Sequence, residues 1–241
     1  MTALQSHLQK QITASPDFFW HRLRWRALCG YLPADRPFSL VDVGAGAGLL
    51  GEYLAAERPL GRYAFVEPLA PLEAHLEARH GTACNVRGAA HYDGAGFVTL
   101  LDVLEHQEDD QAFLAELTGR MDVGATLLLT VPALDALWSE WDVALGHHRR
   151  YSARTLRARL TGPGLELVAV DYLFPEMLAP ALVRKLLRRT NGTAAQERCP
   201  EFPDLSPSVD ALLYRIGLVS LRLRGLWPAG TSLLAVARRR P

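Results

Sequence analysis

Hydrophobic positions along the chain fall into short solid runs, separated by stretches in which they recur every three to four residues. Solid runs of four to eight residues read as buried strands, and the wider spacing reads as helices packed by one face. The runs predict strands at residues 38–43, 63–66, 83–86, 97–101, 126–131, 165–172 and 232–237. The periodic stretches predict helices at 15–32, 49–58, 70–80, 109/110–120, 134–145, 152–160, 176–189 and 208–226. Helix ends carry fitting punctuation: Ser15 before Pro16, Asp109 or Asp110, and Ser152 as N-caps, with Gly81 and Gly146 as stops. Pro132 stops a strand, and a polar stretch with Pro200, Pro203 and Pro207 reads as a loop. Strand and helix alternate through residue 175, the pattern of an α/β domain with helices on both faces of its sheet.

Composition narrows the class. The chain has 241 residues, 49% hydrophobic and 22% charged, enough for one large domain whose core needs no disulfide or metal. That balance excludes disorder as a description of the whole chain. Lys and Arg number 26 and Asp and Glu 26, so no overall field draws nucleic acid. The charge is uneven, however: after residue 175 there are eleven basic side chains against five acidic. Cys29, Cys84 and Cys199 are odd in number and lack CxxC spacing, which fits a reducing compartment. Residues 1–11 are polar, unlike a signal peptide, and no apolar run is long enough to span a bilayer. The expected location is cytoplasmic.

The strongest local signal is residues 41–48, Val-Asp-Val-Gly-Ala-Gly-Ala-Gly, where a buried strand enters a glycine-rich turn and then a helix. Glycines admit a ligand where a Cβ would clash, and the helix N-terminus offers free N–H groups. This is a nucleotide or nucleoside site at the carboxyl end of a first strand. Gly44, Gly46 and Gly48 form GxGxG, while Gly46, Gly48 and Gly51 form the dinucleotide pattern GxGxxG, so the glycines alone do not choose. Glu67 ends the second strand, where a carboxylate can accept both ribose hydroxyls of either NAD or S-adenosylmethionine.

Asp42-x-Gly-x-Gly-x-Gly followed by Glu67 resembles the first two motifs of class I S-adenosylmethionine-dependent methyltransferases. Residues 100–106, Leu-Leu-Asp-Val-Leu-Glu-His, are similar to a segment of the ubiquinone-biosynthesis O-methyltransferases and their kin. Residues 146–151, Gly-His-His-Arg-Arg-Tyr, resemble a stretch in many bacterial members. The resemblance covers about residues 15–175 and the closing strand. It implies a Rossmann-like seven-stranded mixed sheet, its last strand antiparallel, with a helical insertion before that strand. One domain would then span 1–241, with an N-terminal helical cover at 1–35 and the insertion at 173–230. A dinucleotide fold would not call for a long helical insertion and one final strand, which favours methyl over hydride transfer.

The resemblance also implies roles. Gly44, Gly46 and Gly48 would face the methionine part of the cofactor, Asp42 its amino group and Glu67 its ribose. Leu101 and Asp102 would lie beside it, and Arg24 on an aromatic–arginine helix would reach the carboxylate. Relatives often carry an acidic residue after the third strand for the adenine amine; residues 86–90 have none. Some relatives hold a metal with two carboxylates and a histidine at the segment of Asp102, Glu105 and His106. Packing of His106 under the cofactor accounts for the same letters, and no metal is expected.

For the acceptor, His106, His147 and His148 are candidate bases near the expected site. Trp138, Trp141, Asp142, Arg149, Arg150 and Tyr151 follow the fifth strand, beyond which ligands of open α/β sheets sit. The late helices carry apolar stripes with flanking cations, in residues 176–226. Such stripes suit peripheral contact with the inner face of a membrane, a cover over the sheet, or a dimer surface alike. The expected activity is transfer of a methyl group from S-adenosylmethionine, leaving S-adenosylhomocysteine, to a small-molecule or lipid-like acceptor. The alternatives are an NAD-dependent oxidoreductase and a non-catalytic cofactor-binding partner protein.

Overall fold

The computed structural model of the chain describes residues 12, 17–162, 164–190 and 205–241. Residues 1–11, the Ser15–Pro16 helix start, and the loop markers Cys199, Pro200 and Pro203 lie outside them. Six strands form one sheet in the order β2-β1-β3-β4-β6-β5. They are β1 (Phe38–Val43), β2 (Gly61–Val66), β3 (Phe97–Leu101), β4 (Thr126–Pro132), β5 (Leu165–Leu173) and β6 (Ser232–Arg239). β6 runs antiparallel between β4 and β5, and the pairs from β2 to β4 are parallel.

Alternation along the strands splits the core into two layers. Leu127, Leu129, Val98 and Leu100 face α4 (Asp110–Arg120) and α6 (Ala153–Leu160), burying Leu114, Leu117, Leu156 and Leu160. Leu40, Leu128, Leu234 and Val236 face the other way, onto α1 (Phe19–Cys29) and α2 (Leu49–Glu57) through Phe19, Leu23, Trp25, Leu28, Leu50 and Leu54. The remaining helices are α3 (Ala70–His80), α5 (Glu140–Leu145), α7 (Leu178–Thr190) and α8 (Pro207–Arg222), the last two lying between β5 and β6.

Three expectations are corrected. Residues 83–86 are not a strand: Thr82–Cys84 is a 3-10 turn, and pairing shrinks to one bridge between Phe65 and Asn85. The Asn85 amide is drawn back onto α3 by Glu73 and Glu77, at 2.9 and 2.8 Å, so the segment cannot run on along the sheet edge. The helix expected over 134–145 is interrupted. Leu134 adopts a positive φ, and a box between Ser139 and Asp142 restarts the chain as α5. Among the described residues, the first helix begins at Phe19, whose N–H is satisfied by Asp210 Oδ1 of α8 at 2.8 Å. A cap 191 residues away in sequence has no local signature.

Candidate functional site

β1 sits between β2 and β3, so the crossovers leaving it diverge to opposite sides and open a crevice at the carboxyl ends of the strands. The cavity there has a volume of about 590 Å³, within the range that holds a cofactor-sized ligand. Its floor is the turn after β1. Gly44 and Gly46 adopt φ of +76° and +57°, and a Cβ on Gly44 would stand 2.5 Å from Val103 Cγ2. Only glycine meets both demands at that position.

Two buried carboxylates flank this turn. Glu67 at the end of β2 accepts the N–H of Gly46 at 2.8 Å and that of Leu69 at 2.9 Å. Burial pushes its pKa up, opposed by these two backbone donors. Asp42 accepts the hydroxyl of Thr99 at 2.7 Å and that of Tyr63 at 3.2 Å. Burial raises it to about 6 despite the two hydroxyls and the Arg24 charge. Asp102, just past β3, adopts φ +58° and pairs with Arg24 of α1. α1 therefore lies over the cavity, and Phe18, Trp20 and His21 line it beside Arg24. Trp20 in turn stacks on Phe174 with ring centroids 3.8 Å apart.

The far wall comes from the segment after β4. Asp142 is fully buried and accepts Arg150 Nε at 2.8 Å and His147 Nδ1 at 2.9 Å. Burial alone would raise its pKa, but those donors hold it at about 2. His106 is pushed down to about 4, by burial first and then by the neighbouring His147, whose ring lies edge-on at 4.7 Å. Glu105 is fully buried, and neither of its carboxyl oxygens has a hydrogen-bond partner among the described residues. Burial drives its pKa far up from the ordinary carboxylate range. Ligand atoms of Glu105, His106 and His147 lie within 4.8 Å of one another, a donor set that suits a borderline divalent cation. Asp102 is not part of that set; Arg24 and Thr130 hold it.

Of the residues singled out in the sequence, Arg24, Asp42, Gly44, Gly46, Glu67, Leu101, Asp102, Glu105, His106, Trp141, His147 and Arg150 line the cavity. The others are elsewhere. Gly48 is the N-cap of α2, with Leu76 packed against it. His148 is exposed, its N–H on the Glu105 carbonyl. Tyr151 and Arg149 turn away from the cavity to converge on buried Asp110, at 2.9 and 3.0 Å. Asp142 acts behind the wall by holding His147 and Arg150, and Trp138 is absent from the lining. Sequence reasoning did not place Met177, Lys185, Leu213, Thr231 or Ser232 at the cavity, although they line it. They arrive from the 3-10 turn before α7, from α7 and α8, and from the start of β6 only through the fold.

The family described as a methyltransferase domain matches residues 5–170. No curated protein sequence is significantly similar to the chain. Among solved structures, one from Haloferax volcanii, titled as a complex of the Trm112 methyltransferase activator with a putative methyltransferase, is similar. It aligns at TM-score 0.63 and 16% identity over 99% of this chain and 98% of its own. A S-adenosylmethionine-dependent methyltransferase from Archaeoglobus fulgidus aligns at TM-score 0.56 and 16% identity, over 96% and 97%. Phosphoethanolamine N-methyltransferase 2 of Haemonchus contortus, in complex with S-adenosylmethionine, aligns at 0.58 and 14% over 92% of this chain and 53% of its own. The glycine turn after β1, the strand order with β6 inserted antiparallel and the match over most of the chain agree: this chain belongs to the methyltransferase-domain family and has the class I methyltransferase fold.

Proposed function

We propose that the chain transfers a methyl group from S-adenosylmethionine to a small-molecule or lipid-like acceptor. The observation that carries this reading is one cavity in which the glycine turn, Asp42, Glu67 and Arg24 all converge. The residues suit the cofactor. The turn at Gly44 and Gly46 brings main chain to the cavity, Glu67 keeps unused lone pairs for ribose hydroxyls, and Asp42 would face the ammonium. Arg24, already at the cavity, would take the carboxylate. The bound cofactor supplies an activated methyl group on a sulfonium, so the protein's work is alignment and exclusion of water.

His147 is the candidate base. Its Nδ1 is engaged by the Asp142 carboxylate, which fixes the proton there and leaves Nε2 as the acceptor. His106, with its depressed pKa, stays neutral and is the weaker base. Trp141 and Arg150 would contact the acceptor. Within this single domain, the described part of the expected cover, residues 17–35, would lie over the cofactor, and the described parts of the insertion, 173–190 and 205–230, would lie on the acceptor side.

Calorimetric titration with S-adenosylhomocysteine, with NADH as control, tests the reading. Micromolar binding of the first alone is the expected result. Binding of NADH alone would replace it with a dehydrogenase reading, and binding without turnover across broad acceptor panels would favour a cofactor-binding partner protein.

A further inference from the structure

The outer face of α8 is unusual. Val209, Leu212, Ile216, Val219, Leu223 and Leu226 recur at alternating spacings of three and four, and all are exposed, from 42% at Ile216 to 78% at Leu226. Six large apolar side chains thus form one stripe, Val209 to Val219 along about 15 Å of α8 and Leu223 and Leu226 carrying it into the 3-10 turn that follows. A stripe of this kind is costly in water and marks a contact surface. The opposite face of α8 is already used: Gly217 and Ser220 are buried, and Asp210 is bonded to α1. α7 repeats the pattern on a smaller scale, with Leu182, Val183 and Leu186 exposed.

Charge decides what covers the stripe. The exposed charged side chains on α8 are Arg215 and Arg222, seven residues apart on one flank. Among the described residues, no exposed position of α7 or α8 is acidic. A second copy packed antiparallel would set Arg215 against Arg222 of its partner, with no carboxylate between them. Nor would a parallel pair bring those arginines an acidic partner from the described residues of α7 and α8. Their described residues offer the arginines no exposed carboxylate, so an anionic complement fits this face. We propose that the outer face of α8, with α7, docks on an anionic lipid surface, the apolar stripe entering the interface and Arg215 and Arg222 meeting lipid phosphates. Pro180 and Ala181 of α7 and Leu213 of α8 line the cavity, so its mouth opens beside the docked face. The docking does not depend on which cofactor the cavity holds.

The test is flotation of the full chain with vesicles of phosphatidylcholine alone and with roughly 30% phosphatidylglycerol. The expected result is binding at least about tenfold stronger to the anionic vesicles, reduced by salt. Arg215→Ser with Arg222→Ser should remove the preference, and Leu212→Glu with Val219→Glu should remove binding. These side chains are exposed and do not line the cavity, so both variants should keep the wild-type melting temperature and S-adenosylhomocysteine affinity. That affinity, read in parallel, separates a failure of docking from a failure of the methyl-transfer reading. A chain that stays in solution with every vesicle overturns the proposal, as do variants that bind like wild type. A concentration-dependent dimer in ultracentrifugation, dissolved by Ile216→Glu, would overturn it by assigning the stripe to a second copy.

Discussion

Arg24 of α1 and Asp102 at the end of β3 are joined by a 2.5 Å contact between Nη1 and Oδ2, which ties the helix over the cavity to the sheet beneath it. The second Asp102 oxygen accepts the Thr130 hydroxyl at 3.1 Å, and its N–H bonds the Thr130 carbonyl at 3.0 Å. The aspartate is thus fixed from both sides in its left-handed conformation. The pair is partly solvated, so its worth to folding is about 1 kcal/mol or less. Arg24→Ala is expected to shift the melting temperature little and to weaken S-adenosylhomocysteine binding by about tenfold. Calorimetry with unchanged affinity would reduce the arginine to a latch on the cover.

Glu67 joins the glycine turn to the loop after β2 through two backbone donors. Glu67→Ala strands both and removes the proposed ribose acceptor, so cofactor affinity should fall about tenfold or more, charge-assisted bonds being worth about 1.5–3 kcal/mol. Glu67→Gln keeps one acceptor oxygen and should lose less. Equal losses in the two variants would locate the effect in the turn rather than in the ribose contact.

Asp42 gives the site a pH dependence of definite sign. Its pKa is raised to about 6 by burial, so below that value the free protein carries it protonated. A protonated carboxyl cannot pair with the cofactor ammonium as an anion, so affinity should decline as pH falls through 6, with proton release on binding there. Titrations at about pH 5.5 and 7.5 in buffers of different ionisation heat read both effects. A flat profile would mean that Asp42 does not meet the ammonium.

Asp142 supports the acceptor wall through stability. Its carboxyl is held at about 2, below its ordinary range, so its contribution is complete above about pH 4 and is lost as pH falls toward 2. Asp142→Ala leaves Arg150 and His147 without their buried anion and should cost about 3–5 kcal/mol in urea unfolding near neutral pH. The gap between variant and wild type should close in acid. A gap constant with pH would tie the loss to packing.

The alternation of apolar runs with helical periodicities is enough to read β1 to β4, because β1, β3 and β4 are largely buried apolar runs and the half-buried edge strand β2 still carries the apolar run 63–66. It misreads residues 83–86, where the decisive contacts are Asn85 to Glu73 and Glu77, side-chain bonds that hydrophobic pattern does not register. The turn residues, Asp42 and Glu67, are legible as a linear motif followed by an acid at fixed distance. The segment after β4 is not. Arg149 and Tyr151 share composition and neighbourhood with Trp141, His147 and Arg150, and what separates them is Asp110. This buried carboxylate lies some forty residues upstream and draws Tyr151, Arg149 and Arg159 away from the cavity. Glu105 reads in sequence only as a member of the Asp102, Glu105 and His106 segment; its burial without a hydrogen-bond partner among the described residues appears only once the surrounding elements are in place.

The long-range cap on α1 has one more consequence. Asp210 holds both the Phe19 N–H and the Arg22 guanidinium, and Gly217 sits so close to Leu23 that a methyl group there would overlap it. The first helix and α8 are therefore one packed unit assembled from two distant stretches of the chain. Homologous recombination or domain grafting that exchanges one without the other would deliver a catalytic crevice with mismatched halves of its roof. The pair should be inherited, transplanted and engineered as a unit.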